Sequence, residues 1–279
     1  MDLKVVFITH IHGDHSLGAL KILHERDKIE GADKFFVVTP RPIWSWMEHH
    51  IKEHLRHSEN VVMIDPADLN PEGVKYFEDE ARKEKRQCPV YSKDEAEEKI
   101  QKFEGAKEEV KAMFSELQKF GLQKVLAIEA DHCEESYGCL LVHEDFRLMY
   151  SGDTRPVQTM VNYGQEIDLL IHEATFDDSL EQESYYKRHT TVGQAILQGQ
   201  KMRAKRTCLT HFSPRYQKMA PVDQRNWDKQ IMISFDHMRI KLKHFEDCYK
   251  LLQVFSKCFD NDAETEFEMD KTQVKKQIN

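Results

Sequence analysis

An α/β domain is what this sequence predicts, and three observations predict it. Short β-branched runs, Val5-Val6-Phe7-Ile8, Phe35-Phe36-Val37-Val38 and Val125-Leu126-Ala127-Ile128, have the length and composition of buried strands. Stretches with apolar residues three and four apart lie between such runs, which is the helical repeat. Ligand-type polar residues stand just past several of the runs, where α/β folds commonly place their sites. With 279 residues, 40% of them hydrophobic, the chain is long enough to bury a substantial core.

The elements follow in order. Leu17 to Glu25 reads as a helix after the first ligand loop. Pro40 ends the strand Phe35 to Val38, and Ile43 to His57 reads as a helix rich in aromatic and histidine residues. Val61 to Ile64 is a strand, and Asp65 to Cys88 is charged and irregular. Ser92 to Phe120 carries Ile100, Phe103, Val110, Met113, Phe114, Leu117 and Phe120 at helical spacing, so it reads as one amphipathic helix or a pair broken at Gly105. From Val125 onward short strands alternate with ligand-type residues, Phe146 to Tyr150 among them. Val192 to Met202 and Phe245 to Lys257 read as helices. The polar tail from Asp260 has no core pattern.

The chemistry concentrates in His10-Ile-His12-Gly-Asp14-His15. An extended segment points His10 and His12 to one side, and Asp14 and His15 follow at the turn around Gly13, facing a second point. One short loop can thus serve two adjacent metal ions, because N and O donors converge at fixed spacing. His132, in Ala130-Asp131-His132-Cys133, Asp153, in Ser151-Gly152-Asp153-Thr154, and His211, in Leu209-Thr210-His211-Phe212, each follow an apolar run. Taken singly, each is an ordinary structural residue; taken with the first cluster, they read as further ligands.

THIHGDH, DH, SGDT and THF, in that order, resemble the metallo-β-lactamase superfamily. Ile171-His172-Glu173-Ala174-Thr175 resembles the HEAT block of tRNase Z, and His189-Thr190-Thr191 its HST block. Tyr137-Gly138-Cys139 and Ser234-Phe235-Asp236-His237-Met238 resemble the carboxyl-terminal half of the long form, over about Leu3 to Phe259. The resemblance implies a four-layer αββα sandwich with mixed sheets. It implies a nuclease domain over residues 1–259, followed by a polar tail, 260–279, expected to be disordered.

The site assignments are what the resemblance implies. His10, His12 and His132 hold one zinc, Asp14, His15 and His211 the other, and Asp153 bridges them; manganese or iron would suit the same donors. Asp14 takes a proton from the attacking water, His189 protonates the leaving oxygen, and Glu173 orients His189 and favours its charged form. His172 is expected to be structural, since strand alternation turns it away from Glu173. Thr190 stands where the family has serine and is expected to cap the helix from Val192. The substrate is precursor tRNA, cut to release its 3′ trailer and leave a 3′ hydroxyl. Compartments expected by resemblance are the nucleus and the mitochondrion, with the cytoplasm as a further intracellular location. Family members carry strands and a substrate loop ahead of the first ligand cluster. Only Met1 to Lys4 precede its strand here, so a missing amino-terminal half or a second subunit is expected to supply them.

Composition constrains the rest. The formal charge of −9 is poor for a nucleic-acid binder acting alone. The basic runs at 201–206 and at Arg215, Lys218 and Arg225 soften it, and Arg215, four residues past His211, is the candidate phosphate contact. No apolar run is long enough to span a bilayer, and the first residues do not form a signal peptide. The six cysteines show no paired spacing, which argues for free thiols in a reducing compartment, with Cys133 a packing residue. His49, His50, His54 and His57 include an i, i+4 pair but lack an HExxH pattern, so they read as a surface helix face. Two other readings stay open: another hydrolase of the same superfamily, such as a thioesterase or lactonase, and an inactive tRNA-binding fragment.

Overall fold

β2 (Phe35–Val38) is buried along its whole length, and the fold is built around it and its neighbours. It pairs in parallel with β1 (Val5–Phe7) on one side and β3 (Val61–Ile64) on the other. A parallel strand covered on both faces reads as a continuous apolar run, which is what Phe-Phe-Val-Val is. The computed structural model describes residues 3–31, 33–72, 88–216, 228–248, 250, 251 and 254.

Alternation along β2 sorts its side chains into two cores. Phe35 and Val37 pack with Ile8 against Ala19 and Leu23 of α2 (Gly18–Asp27) and Ile43, Met47 and Ile51 of α3 (Arg41–His54). Phe36 and Val38 face the other way, toward Val125, Ala127, Tyr137 and Cys139. Those belong to β4 (Leu122–Glu129) and β5 (Tyr137–His143), which begin a six-stranded mixed sheet. It continues in order through β6 (Arg147–Tyr150), β7 (Leu169–Glu173), β8 (Thr207–Thr210) and β9 (Ile231–Ile233). β5 runs antiparallel to both its neighbours, β4 and β6, and β6 to β9 are parallel.

The outer face of this sheet carries Leu126, Ile128, Leu140, Met149 and Leu170. They pack on Ala96 and Ile100 of α4 (Lys93–Lys102) and Met160 and Tyr163 of α6 (Gln158–Tyr163). The layer order is helix, sheet, sheet, helix, the expected αββα sandwich. α5 (Glu108–Gln118) adds Val110, Met113, Phe114 and Leu117 to the core between the sheets.

Element boundaries shift from the sequence reading in instructive places. The 92–120 stretch is two helices, with Gly105 between them at φ +72°. The helix after the first ligands starts earlier than expected: α1 (Gly13–Ser16) already contains Asp14 and His15. After α7 (Glu181–Lys187), helix α8 (Val192–Met202) is capped by Thr191, not by Thr190 as expected. Thr191 accepts from the Gln194 amide at 3.3 Å while the Gln194 side chain accepts from the Thr191 amide at 3.1 Å, a capping box. Thr190 is buried one residue earlier, and its hydroxyl donates to the Thr154 carbonyl at 2.5 Å. At the carboxyl end a 3₁₀ helix spans Leu242–Asp247, where an α-helix from Phe245 was expected. The described residues that follow, Cys248, Lys250, Leu251 and Val254, are α-helical as expected; residues 249, 252, 253 and 255–257, the tail from Asp260, Lys218, Arg225 and Cys258 lie outside the described residues.

A candidate dinuclear metal centre with an adjacent acid pair

The carboxyl-terminal ends of β1, β4, β6, β7 and β8 come to one edge of the sandwich, and each delivers a polar side chain there. The loop after β1 supplies His10 and His12, and α1 supplies Asp14 and His15. His132 follows β4, Asp153 follows β6, Glu173 ends β7 and His211 follows β8. The Thr9 carbonyl accepts from the Tyr137 amide at 2.9 Å, which ties the first loop to the second sheet. Gly152 sits at φ +59°, and a Cβ there would lie 3.0 Å from the Tyr137 carbonyl oxygen and 3.1 Å from Thr9. Glycine is needed to bring the Asp153 turn this close.

Asp153 is the hub. Its Oδ2 lies 3.7 Å from His10 Nε2, 3.9 Å from His132 Nε2, and 3.4 Å from both His15 Nε2 and His211 Nε2. One group of donors is His10, His12, His132 and Asp153; an adjacent one is Asp14, His15 and His211. All seven candidate ligands therefore converge.

The ring nitrogens point inward because their partners are fixed by groups outside the cluster. The His132 Nδ1 lies 2.9 Å from the Arg188 carbonyl, which can only accept, so Nδ1 carries the proton and Nε2 offers its lone pair inward. His10 Nδ1 meets the Thr9 hydroxyl at 3.0 Å, again leaving Nε2 inward. His211 Nδ1 meets the Thr175 hydroxyl at 2.8 Å. That hydroxyl donates to Glu173 at 2.6 Å, so it accepts from His211. Thr9, Thr175 and the Arg188 carbonyl were not singled out from sequence. Asking what holds the second nitrogen of each histidine points to Thr9 and Thr175, which stand next to motif residues; a backbone carbonyl 56 positions away from His132 leaves no sequence signal.

The residues fit a pair of zinc ions. His12 Nδ1 lies 3.1 Å from His10 Nε2 and 3.2 Å from His132 Nε2, close to the ~3.3 Å between two nitrogens on one tetrahedral zinc. Burial, reinforced by the neighbouring imidazoles, holds His10 at a pKa of about 2, and burial holds His132 at about 4, so both are neutral donors. Asp153 is 3% exposed and its Oδ1 has no hydrogen-bond partner, a buried anionic oxygen awaiting a cation. Burial pushes the Asp153 carboxyl up to about 6. His211 adopts φ +59°, a strained conformation for a non-glycine residue, held here by the site around it.

Glu173 and His189 form a pair beside this cluster, Nδ1 to Oε1 at 2.8 Å. Glu173 is 1% exposed, and its carboxylate also accepts from the Thr154, Thr175 and Thr190 amides and the Thr175 hydroxyl. Burial alone would raise its pKa; the bond to charged His189 and these donors outweigh burial and lower it. For His189 burial works downward, and Glu173 together with Asp153 overcomes it and raises the pKa. His172 faces away, fully buried, with Nδ1 at 2.7 Å from the Glu173 carbonyl.

Other predicted residues lie outside the cluster. Arg215 forms a forked contact with Glu183, at 3.1 and 3.5 Å, and lies over the Phe176 ring. Cys133 bonds Ser136 at 3.1 Å and joins no donor group. Five cysteines among the described residues are free. No helix among the described residues is long and apolar enough to cross a membrane.

Comparison with known proteins adds lineage to geometry. The model of a beta-lactamase superfamily domain matches residues 1–212. The chimpanzee (Pan troglodytes) zinc phosphodiesterase ELAC protein 2 is 31% identical over 268 residues, which is 94% of this chain and 29% of that protein. The mitochondrial ribonuclease Z of Drosophila melanogaster is 28% identical over 283 residues, 99% of this chain and 32% of that protein. The chain thus spans under a third of the length of these relatives. Among solved structures, a long-form RNase Z from yeast superposes with TM-score 0.75 at 23% identity, over 96% of this chain and 36% of that one. Human short-form tRNase Z gives 0.55 at 23% identity, over 86% and 79%. At such identities the superpositions speak to the fold.

Proposed function

The chain belongs to the β-lactamase superfamily, in its metallo-β-lactamase fold, and from that premise we propose that it is the catalytic part of a ribonuclease Z-type endoribonuclease. Its substrate is precursor tRNA, cut past the discriminator nucleotide to leave a 3′ hydroxyl. Residues 1–259 act as the nuclease domain, followed by the tail at 260–279. The mitochondrion, named for the fly relative, is the compartment we propose.

His10, His12 and His132 would hold one zinc and Asp14, His15 and His211 the second, with Asp153 between the two donor groups. Ions held there would supply Lewis acidity, activating a water and offsetting charge on the phosphodiester oxygens. Asp14, 75% exposed at the mouth, would accept the proton of the attacking water. His189 donates a proton to the departing ribose oxygen. Glu173 keeps His189 charged and aimed, and Thr175 and His189, 14 positions apart, both meet that one carboxylate. The Glu173–His189 pair carries this reading, because a ribose alkoxide needs an acid, while thiolate or carboxylate leaving groups do not.

Asp153, His189 and His211 also place donor atoms near one another, which favours a second reading of His189 as a ligand. Cleavage of a precursor tRNA with a labelled trailer, assayed alongside zinc content, decides between them. The expected result for His189→Ala is full zinc and a rate lower by about 10²–10⁴-fold. Loss of zinc supports the second reading, and an unchanged rate removes His189 from the chemistry.

A further inference from the structure

A second histidine cluster lies on the helical layer, away from the site above. His24 of α2 and His50 of α3 bring their Nε2 atoms to 3.0 Å. Their rings stand nearly perpendicular, at 88°, with centroids 5.0 Å apart. His54, one helical turn past His50 and on the same face, has its ring 4.8 Å away. The sequence reading placed the α3 histidines on a plain surface face. It had no means of seeing that α2 adds His24 to them from 26 positions away.

We propose that His24, His50 and His54 form a binding site for a divalent transition-metal ion, zinc above all, which clips α2 to α3. As free imidazoles, two ring nitrogens 3.0 Å apart share a proton, one ring donating and the other accepting. That proton occupies the place a metal ion takes. Binding would release it and leave both rings coordinating through lone pairs. Two nitrogens on a tetrahedral zinc sit ~3.3 Å apart, so the rings need to separate by only a few tenths of an ångström. His54 is exposed, so its ring has room to turn toward the ion, and water completes the shell. Imidazole suits zinc, copper and nickel and is a poor ligand set for magnesium or calcium.

His54 has to turn before the three rings converge, whereas His143, Glu144 and Asp145 already bring their donor atoms together, yet that group differs in a decisive way. His143 Nδ1 accepts from the Asp145 amide at 3.1 Å and Nε2 lies 3.2 Å from the Phe120 carbonyl, so neither nitrogen offers a lone pair. At the helical cluster the only described partner of the His24 and His50 Nε2 atoms is the other ring.

α2 begins directly where α1 ends, and α1 carries Asp14 and His15. An ion joining α2 to α3 would therefore stiffen the support of the first ligand loop. The site does not depend on the catalytic reading.

The test is equilibrium dialysis of the chain against buffered free zinc, with metal content measured for wild type, His24→Gln, His50→Gln and His54→Gln. The expected result is one zinc fewer per chain in His24→Gln and in His50→Gln, and weaker retention of that ion in His54→Gln. A zinc titration should also raise the Tm of wild type more than that of His50→Gln. Equal zinc content and equal Tm shifts in wild type and His50→Gln overturn the proposal.

Discussion

Glu173→Gln keeps the shape of the acid pair and removes its charge. The carboxylate oxygen lies 2.8 Å from His189 Nδ1, and the pair is largely shielded from solvent. At an effective dielectric constant of ~20 the Coulomb attraction at that separation is about 6 kcal/mol. Taking both groups out of water offsets much of this, and hydrogen bonds to charged groups contribute a net ~1.5–3 kcal/mol. Losing that interaction with the charged ring should lower the His189 pKa in the variant. In the proposed role His189 is the protonated acid, so activity is expected to be lost as pH rises through its pKa. The basic limb of the kcat/KM profile on precursor tRNA should therefore move to lower pH. Stability carries the same signature with the sign fixed at both ends. The Glu173 pKa is depressed, so its contribution is present above the ordinary 4.5 and fades as pH falls further. The His189 pKa is raised, so its contribution is full below 6.5 and fades as pH climbs through the raised value. The Tm difference between wild type and variant should thus be largest between those two values. A basic limb that stays in place in Glu173→Gln refutes the reasoning.

Thr175→Val removes a hydroxyl that joins Glu173 to His211 while keeping its volume, and zinc affinity at the centre should fall by about 10–100-fold, read by competition with a chelator. Glu183→Gln should release Arg215 toward phosphate, tightening RNA binding and steepening its salt dependence; an unchanged salt slope takes Arg215 out of the interface. Thr191→Ala should cost ~1 kcal/mol through the lost cap of α8, measured by urea unfolding. Phe36→Ala, at a fully buried position between the sheets, should cost ~3–5 kcal/mol in the same experiment.

Much of this molecule is legible in the sequence because its signals are local. Phe35 to Val38 announces a strand buried on both faces, and the six residues from His10 to His15 place four donors on one short turn. Asp153 and His211 become legible once each is seen to follow a strand that ends at the same edge. The losses are of register and of distance. Thr190 and Thr191 both have hydroxyls, and only the backbone decides which one caps α8. α1 starts inside the ligand loop with no side-chain cap to mark it. β9 is three residues long, too short to show alternation. Glu183 neutralises Arg215 across 32 positions, and His24 reaches His50 across 26, neither of which periodicity can reveal.

The centre itself is tested most directly by crystals grown with zinc and measured on both sides of the zinc absorption edge. Two anomalous peaks should flank Asp153, one within bonding distance of His10, His12 and His132, the other of Asp14, His15 and His211. A single peak, or none between those side chains, contradicts the account.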